Sequence, residues 1–211
     1  MRNIRMLVNL ITTVLFVNTV SCGQSEVKVG SVYNKSIADQ LDSILIEDQK
    51  YRQMLSGIEE KYGIESKETA DLWKTIKRKD SINEFKVTFI LDKYGWLGQE
   101  VVGENGNSCL YLVVQHSDLK TQEKYLPMMR QAVKNGKALG ADLAYLEDRV
   151  ALGQGKKQIY GSQILRNNTT LKFYFAPIED EHNVNKRRAS VGLNTIEDRA
   201  REWGFEYKIP E

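Results

Sequence analysis

The chain has 211 residues, 41% of them apolar, with 30 Lys and Arg against 28 Asp and Glu. So even a balance leaves no strongly basic face for phosphate neutralisation, and nucleic acid is not an expected partner. Two cysteines, 15 Gly and 3 Pro fit one globular domain stabilised by its core rather than a disulfide scaffold.

At the amino terminus, Arg2 and Arg5 precede an apolar run from Met6 to Val17. A bilayer crossing takes about 20 residues, so the pattern is that of a secretory signal, cut after Ser21. The stretch Thr19-Val20-Ser21-Cys22 resembles a bacterial lipobox, with Thr19 where an aliphatic residue is usual. The expected organisation is a signal peptide over 1–21, a lipidated tether over 22–35 with Cys22 as the acylated residue, and a single globular domain over 36–211. Acyl chains at about 0.8 kcal/mol per buried methylene would hold that domain on a membrane. Its place would be the cell envelope, facing the periplasm or the outside. Loss of Arg2 and Arg5 leaves 28 charges of each sign. Acylation of Cys22 leaves Cys109 with no disulfide partner.

The first helix of the domain is marked by Ile37, Leu41, Ile44, Tyr51, Leu55, Ile58 and Tyr62, at alternating steps of four and three. Asp48 occupies the one position of that stripe where an apolar side chain is due. It is either an edge residue paired with Arg52 or an inward acid lining a polar cavity, because an uncompensated buried charge is costly. Residues 66–93 form the second long helix, with Leu72, Trp73, Ile76, Phe85, Phe89 and Ile90 on one face, interrupted by Asp80 and Asn83. Gly95 is a candidate C-terminal cap. The glycine-rich stretch 98–107 reads as a loop, and no GK[ST] follows to make it a phosphate loop.

Asn107 or Ser108 would cap a buried helix over 109–114 that ends at Gln115 and His116, with a further helix over 119–134. Cys109 falls in the apolar run, as an inert thiol would. His116 closes a buried element and carries the one type of side chain that ordinarily titrates near neutral pH. Histidines only at 116 and 182 make weak metal ligands, so neither a metal nor another cofactor is expected. Another helix covers 141–152. The period then changes to two: 158–166 and 169–176 form a hairpin turning at Asn167-Asn168, in which Ile164 faces Leu171, Ser162 faces Phe173 and Tyr160 faces Phe175. Short helices follow around 184–191 and 195–203. The predicted fold is mainly α with a small β-hairpin, an α+β arrangement in which helices pack on one antiparallel hairpin.

Taken in order, Asp48-Gln49-x-x-Arg52, Asp80-x-x-Asn83, Gly95-Trp96, Gln115-His116, the run from Leu143 to Val150, Gln158-x-Tyr160-Gly161-x-Gln163, Pro177-Ile178-x-Asp180 and Arg187-Arg188-Ala189-x-Val191-Gly192-Leu193 resemble a widespread bacterial family known only as a domain of unknown function. The likeness runs from about residue 38 to 200. It implies a shared pattern and assigns no reaction, ligand or protein partner.

Most positions of the pattern are polar and come from several elements. One reading is a cell-envelope lipoprotein whose polar pocket binds a small polar ligand or simply fixes the fold. The alternative is a hydrolase-like enzyme in which His116 is the general acid or base, with Asp48 or Asp148 orienting it or activating water. Arg52, Arg149, Gln158, Tyr160 and Gln163 would then bind the substrate. No GxSxG or metal motif accompanies them. Either way Asp48, His116, Asp148, Arg149, Gln158, Tyr160 and Gln163 are expected to line one concavity, since burying such charges separately is expensive.

Overall fold

A computed structural model describes residues 32–167 and 169–210. The signal peptide, Cys22, most of the tether and Asn168 lie outside the described residues. Helix α1, Lys35–Gln53, starts where the Asn34 side chain accepts from the Ile37 amide. At Met54 it passes into α2, Leu55–Tyr62. Helix α3, Lys67–Tyr94, is capped by Ser66 and stopped by Gly95, whose φ of 70° suits glycine.

The inward stripe of α3 differs from the expected one. Thr69, Ile76, Asn83, Val87, Ile90 and Leu91 are buried, while Phe85 and Phe89 are 76% and 61% exposed. Asp80 and Asn83 therefore belong to the stripe running through Ile76, Val87 and Ile90, at the same four-and-three spacing that places Asp48 in line with Leu41 and Ile44 in α1. At one level of the bundle, both helices turn polar residues inward.

The stretch expected as a loop is helical. Helix α4, Gln99–His116, begins with a short turn, breaks at Gly103 (φ 74°) and then runs on. Here glycine serves close packing rather than flexibility: a Cβ on Gly106 would lie 2.8 Å from Val102 Cβ and 3.4 Å from Leu41 Cδ1. Asn107, expected as a cap, is instead inside the helix and donates to the Leu97 and Lys137 carbonyls. Helix α5, Leu119–Lys134, follows the Asp118 cap, and α6 spans Gly140–Gly153. α1 packs on α3 and α4, α5 packs on α6, and α4 touches both members of that second pair. Leu41, Val87, Leu110, Val114, Met129 and Leu146 lie at the centre of the shared core.

Beyond α6, β1 (Ile164–Arg166) and β2 (Phe173–Phe175) form an antiparallel pair. Its register is Ile164 with Phe175 and Arg166 with Phe173, not Ile164 with Leu171. The turn is wider than two residues because the Asn167 side chain accepts from the Thr169 and Thr170 amides, and Leu171 takes a φ of 58°. The shift is even, so the same faces still meet. A 3-10 turn over Glu181–Asn183, α7 (Val184–Ser190) and α8 (Ile196–Glu202) complete the fold. Phe175, Ile178, Val184, Ile196 and Ala200 form a second, smaller core. The architecture is mainly α with a small β-hairpin. Among the described residues no helix is long and apolar enough to cross a membrane.

Candidate functional site

The polar level of the bundle is built from three helices. Asp48 is 3% exposed, and its Oδ1 lies 3.2 Å from His116 Nδ1 at the end of α4. Its Oδ2 accepts from Gln49 Nε2 at 2.7 Å and lies 3.6 Å from Arg52 Nε. Arg52 Nη2 reaches across to Asp80 of α3. Burial works to raise the Asp48 pKa, but the His116 hydrogen bond, the His116 and Arg52 charges and the Gln49 amide outweigh it. The carboxyl therefore titrates below its ordinary value. Asp48 is thus an inward acid rather than an edge residue, and it still pairs with Arg52.

The histidine is held from behind. Gln122 of α5 donates to the carbonyls of Gln115 and Ser117, on either side of His116. Ser117 Oγ donates to the Val113 carbonyl. The His116 side chain keeps 15% of its exposure, Arg52 and Asp80 19% each, so the cluster reaches solvent at its rim. The Nε2 atom of His116 makes no hydrogen bond to a described residue.

Asp148, expected to orient His116, is engaged elsewhere. Its Oδ1 accepts from the Ile159 and Tyr160 amides at 2.6 and 2.9 Å, and its Oδ2 from the Ser162 amide at 2.8 Å. Gln158, fully buried, donates to the Gln163 and Ala176 carbonyls and accepts from the Gln163 amide. Arg188, 1% exposed, donates to the Tyr160 and Asn194 carbonyls and to Asn194 Oδ1. Gly161 can take its φ of 67° inside this knot, where a Cβ would come within 2.5 Å of Ile196 Cδ1. Gln163 Nε2 turns to Ser162 Oγ. Asp148, Gln158, Gln163 and the Tyr160 backbone therefore clamp the segment 158–163.

Arg149 makes no hydrogen bond to the clamp. Burial lowers its pKa, with Tyr111 opposing and Arg52 adding to the effect, which puts its guanidinium in the neighbourhood of α4 and Arg52. Its Nε is sealed without a partner, as are Arg52 Nε and Asn83 Nδ2; these are three of the five such nitrogens among the described residues. Buried donors in native proteins are rarely unmatched. Asp142, in the first turn of α6, was not singled out from the sequence at all. It makes no side-chain hydrogen bond, and burial alone pushes its pKa up to about 6. The Tyr111 hydroxyl, whose pKa it also helps to raise, donates to Gln115.

The expected single concavity does not form. A hollow of about 740 Å³ lies between the hairpin and the carboxyl-terminal tail, lined by Leu171–Phe175 and Trp203–Tyr207, and holds none of the charged set. Cys109 is buried, and burial raises its thiol pKa, which makes it unreactive.

Residues 37–209 match a family of unknown function, DUF6624. The chain belongs to that family. Comparison with curated proteins and with solved structures gave no match. Three of the motif runs quoted for the family resemblance, DQxxR, DxxN and QH, meet at the Asp48–Asp80–His116 level of the bundle, whereas QxYGxQ builds the clamp.

Proposed function

We propose that this protein is a lipoprotein of the cell envelope, anchored through Cys22, whose helical domain binds a small polar molecule and acts on it by acid–base chemistry at His116, as a hydrolase does. The contact between His116 Nδ1 and the buried Asp48 carboxylate carries the reading. A carboxylate accepts only, so Nδ1 holds the proton and Nε2 keeps its lone pair. That is the arrangement in which an imidazole takes a proton from water or a substrate hydroxyl, while the carboxylate stabilises the imidazolium that forms. Arg149, whose sealed Nε makes no hydrogen bond, supplies positive charge for an anionic group on the bound molecule, while Arg52 is held by Asp48 and Asp80.

Two measurements test it. Metabolic labelling with a fatty acid, followed by detergent-phase partitioning, is expected to find wild type acylated and Cys22→Ala unlabelled; wild type remaining in the aqueous phase would refute the anchor. A screen of carboxylic, phosphoric and amide substrates is expected to find a turnover lost in His116→Gln and in Asp48→Asn. If these variants lower only thermal stability and alter no turnover, the cluster is a hydrogen-bond network that fixes the fold.

A further inference from the structure

We propose that Asp48, Asp80 and His116 bind a divalent first-row metal ion, of the zinc or manganese class. The inference rests on the reading of this cluster as the functional site, and it names the cofactor that would work there.

Three observations carry it. One oxygen of each carboxylate and one ring nitrogen of His116 lie within 4.8 Å of one another. The closest approach, Asp48 Oδ1 to His116 Nδ1 at 3.2 Å, is long for a charged hydrogen bond, which runs at about 2.7–2.9 Å. A metal on Nδ1 would take the place of the Nδ1 proton; bonds of roughly 2.0–2.1 Å at tetrahedral or octahedral angles place ligands about 2.8–3.4 Å apart, so Asp48 and His116 are spaced to share one ion, and Asp80, within 4.8 Å, would close in on it. Charge is the second observation. Two carboxylates face one guanidinium, Arg52, so with a neutral imidazole these four groups carry one net negative charge around the buried Asp48, Arg149 counted apart. Such a site favours a further cation.

The third is Asn83, 2% exposed, one turn from Asp80 in the same inward stripe, with its amide nitrogen unmatched. A donor sealed there calls for an acceptor, which the oxygen of a water or hydroxide on the metal would provide. One nitrogen and two oxygens suit zinc or manganese better than magnesium or calcium, which favour all-oxygen sites. Three protein ligands leave a position for water, the arrangement of catalytic rather than structural zinc. A water on that position would be a nucleophile at neutral pH, with Arg52 bonded behind Asp80 as the group that orients a ligand.

The test uses the untagged full chain in detergent, stripped with a chelator and titrated with Zn²⁺, Mn²⁺ and Mg²⁺ by calorimetry. The expected result is one equivalent of Zn²⁺ per chain, Mn²⁺ next and Mg²⁺ weakest. Asp80→Asn and His116→Gln should each weaken Zn²⁺ binding roughly tenfold or more, at unchanged circular dichroism. Absence of binding, or equal binding in all three proteins, would overturn the site. A second measurement needs no variant: the Co²⁺-loaded wild type should show the visible absorption of a four- or five-coordinate ion that one equivalent of Zn²⁺ abolishes, and no such band would also overturn it. Turnover separates this inference from the reading beneath it. A chain that binds no metal but loses turnover in His116→Gln refutes the metal and keeps the acid–base role; a chain that binds zinc with no turnover in the substrate screen keeps the metal and refutes the catalysis.

Discussion

Two sets of buried polar residues stand in this molecule, and they differ in how fully they are satisfied. Around the 158–163 segment, both Asp148 oxygens, both ends of the Gln158 amide and all three nitrogens of Arg188 have partners, most of them backbone. At the Asp48–Asp80–His116 level, Arg52 Nε and Asn83 Nδ2 are sealed and make no hydrogen bond, and His116 Nε2 bonds to no described residue. A saturated set stabilises the fold. A set left open in several places is poorly explained by stability, because each open donor costs free energy.

The largest expected effect lies in the saturated set. Asp148→Ala strands three backbone amides at once and should cost roughly 3–5 kcal/mol, read from urea unfolding; a loss under about 1 kcal/mol would erase the contrast. Arg188→Met, nearly isosteric but without donors, should cost about 2–3 kcal/mol by the same measurement, since the carbonyls of Tyr160 and Asn194 lose their partner.

Asp142 is predicted to behave in the opposite sense. Its folded pKa of about 6 exceeds its ordinary 3.8, so the folded state holds the proton more tightly than the unfolded chain. Stability from this group therefore falls as pH rises from about 4 to about 6, and the penalty is complete above that. Asp142→Asn should stabilise the protein by about 1–2 kcal/mol at pH 7, after discounting for partial solvent access, and by nothing at pH 4. A gain independent of pH would show that the carboxyl is not the cause. The smallest effect is expected at Arg149, where Arg149→Met should change stability by less than about 1 kcal/mol because no anionic partner is broken. A loss of 3 kcal/mol or more there would move Arg149 into the saturated set.

The helices and the stop at Gly95 were legible in the sequence because each follows from local chemistry, whereas the caps at Ser66 and Asp118 emerged only in the structure. Helical Gln99–Val102 was hidden by Gly103 and Gly106, residues read as flexible that in fact turn the chain and admit Leu41. The hairpin register was misplaced because Asn167 closes a wider turn through its side chain rather than taking a two-residue one. In the site, Asp48 and His116 were found from their position in apolar runs, and Asp80 was visible as an interruption of a stripe, although the stripe itself was drawn through the exposed Phe85 and Phe89. What sequence could not separate was Asp148 from Asp48. Both are acids in amphipathic helices with an Arg close by, and only the chain that folds over each one decides whether its oxygens go to backbone amides or to a histidine. Asp142 gave no signal, since a first-turn acid is ordinary helix chemistry.

The two sets also differ in the length of chain each must close. Asp148 takes its partners 11 to 14 residues downstream, whereas Asp48 meets His116 across 68. For a flexible chain that difference amounts to about 1.5 kcal/mol of closure entropy, so the clamp forms from nearby segments and the site only when α4 docks on α1. In reverse, rupture of the Asp48–His116 pair frees the longer stretch of chain. Amides around His116 should exchange with solvent faster than those of residues 159–162; slower exchange would show that the packing of α4 outweighs its longer closure.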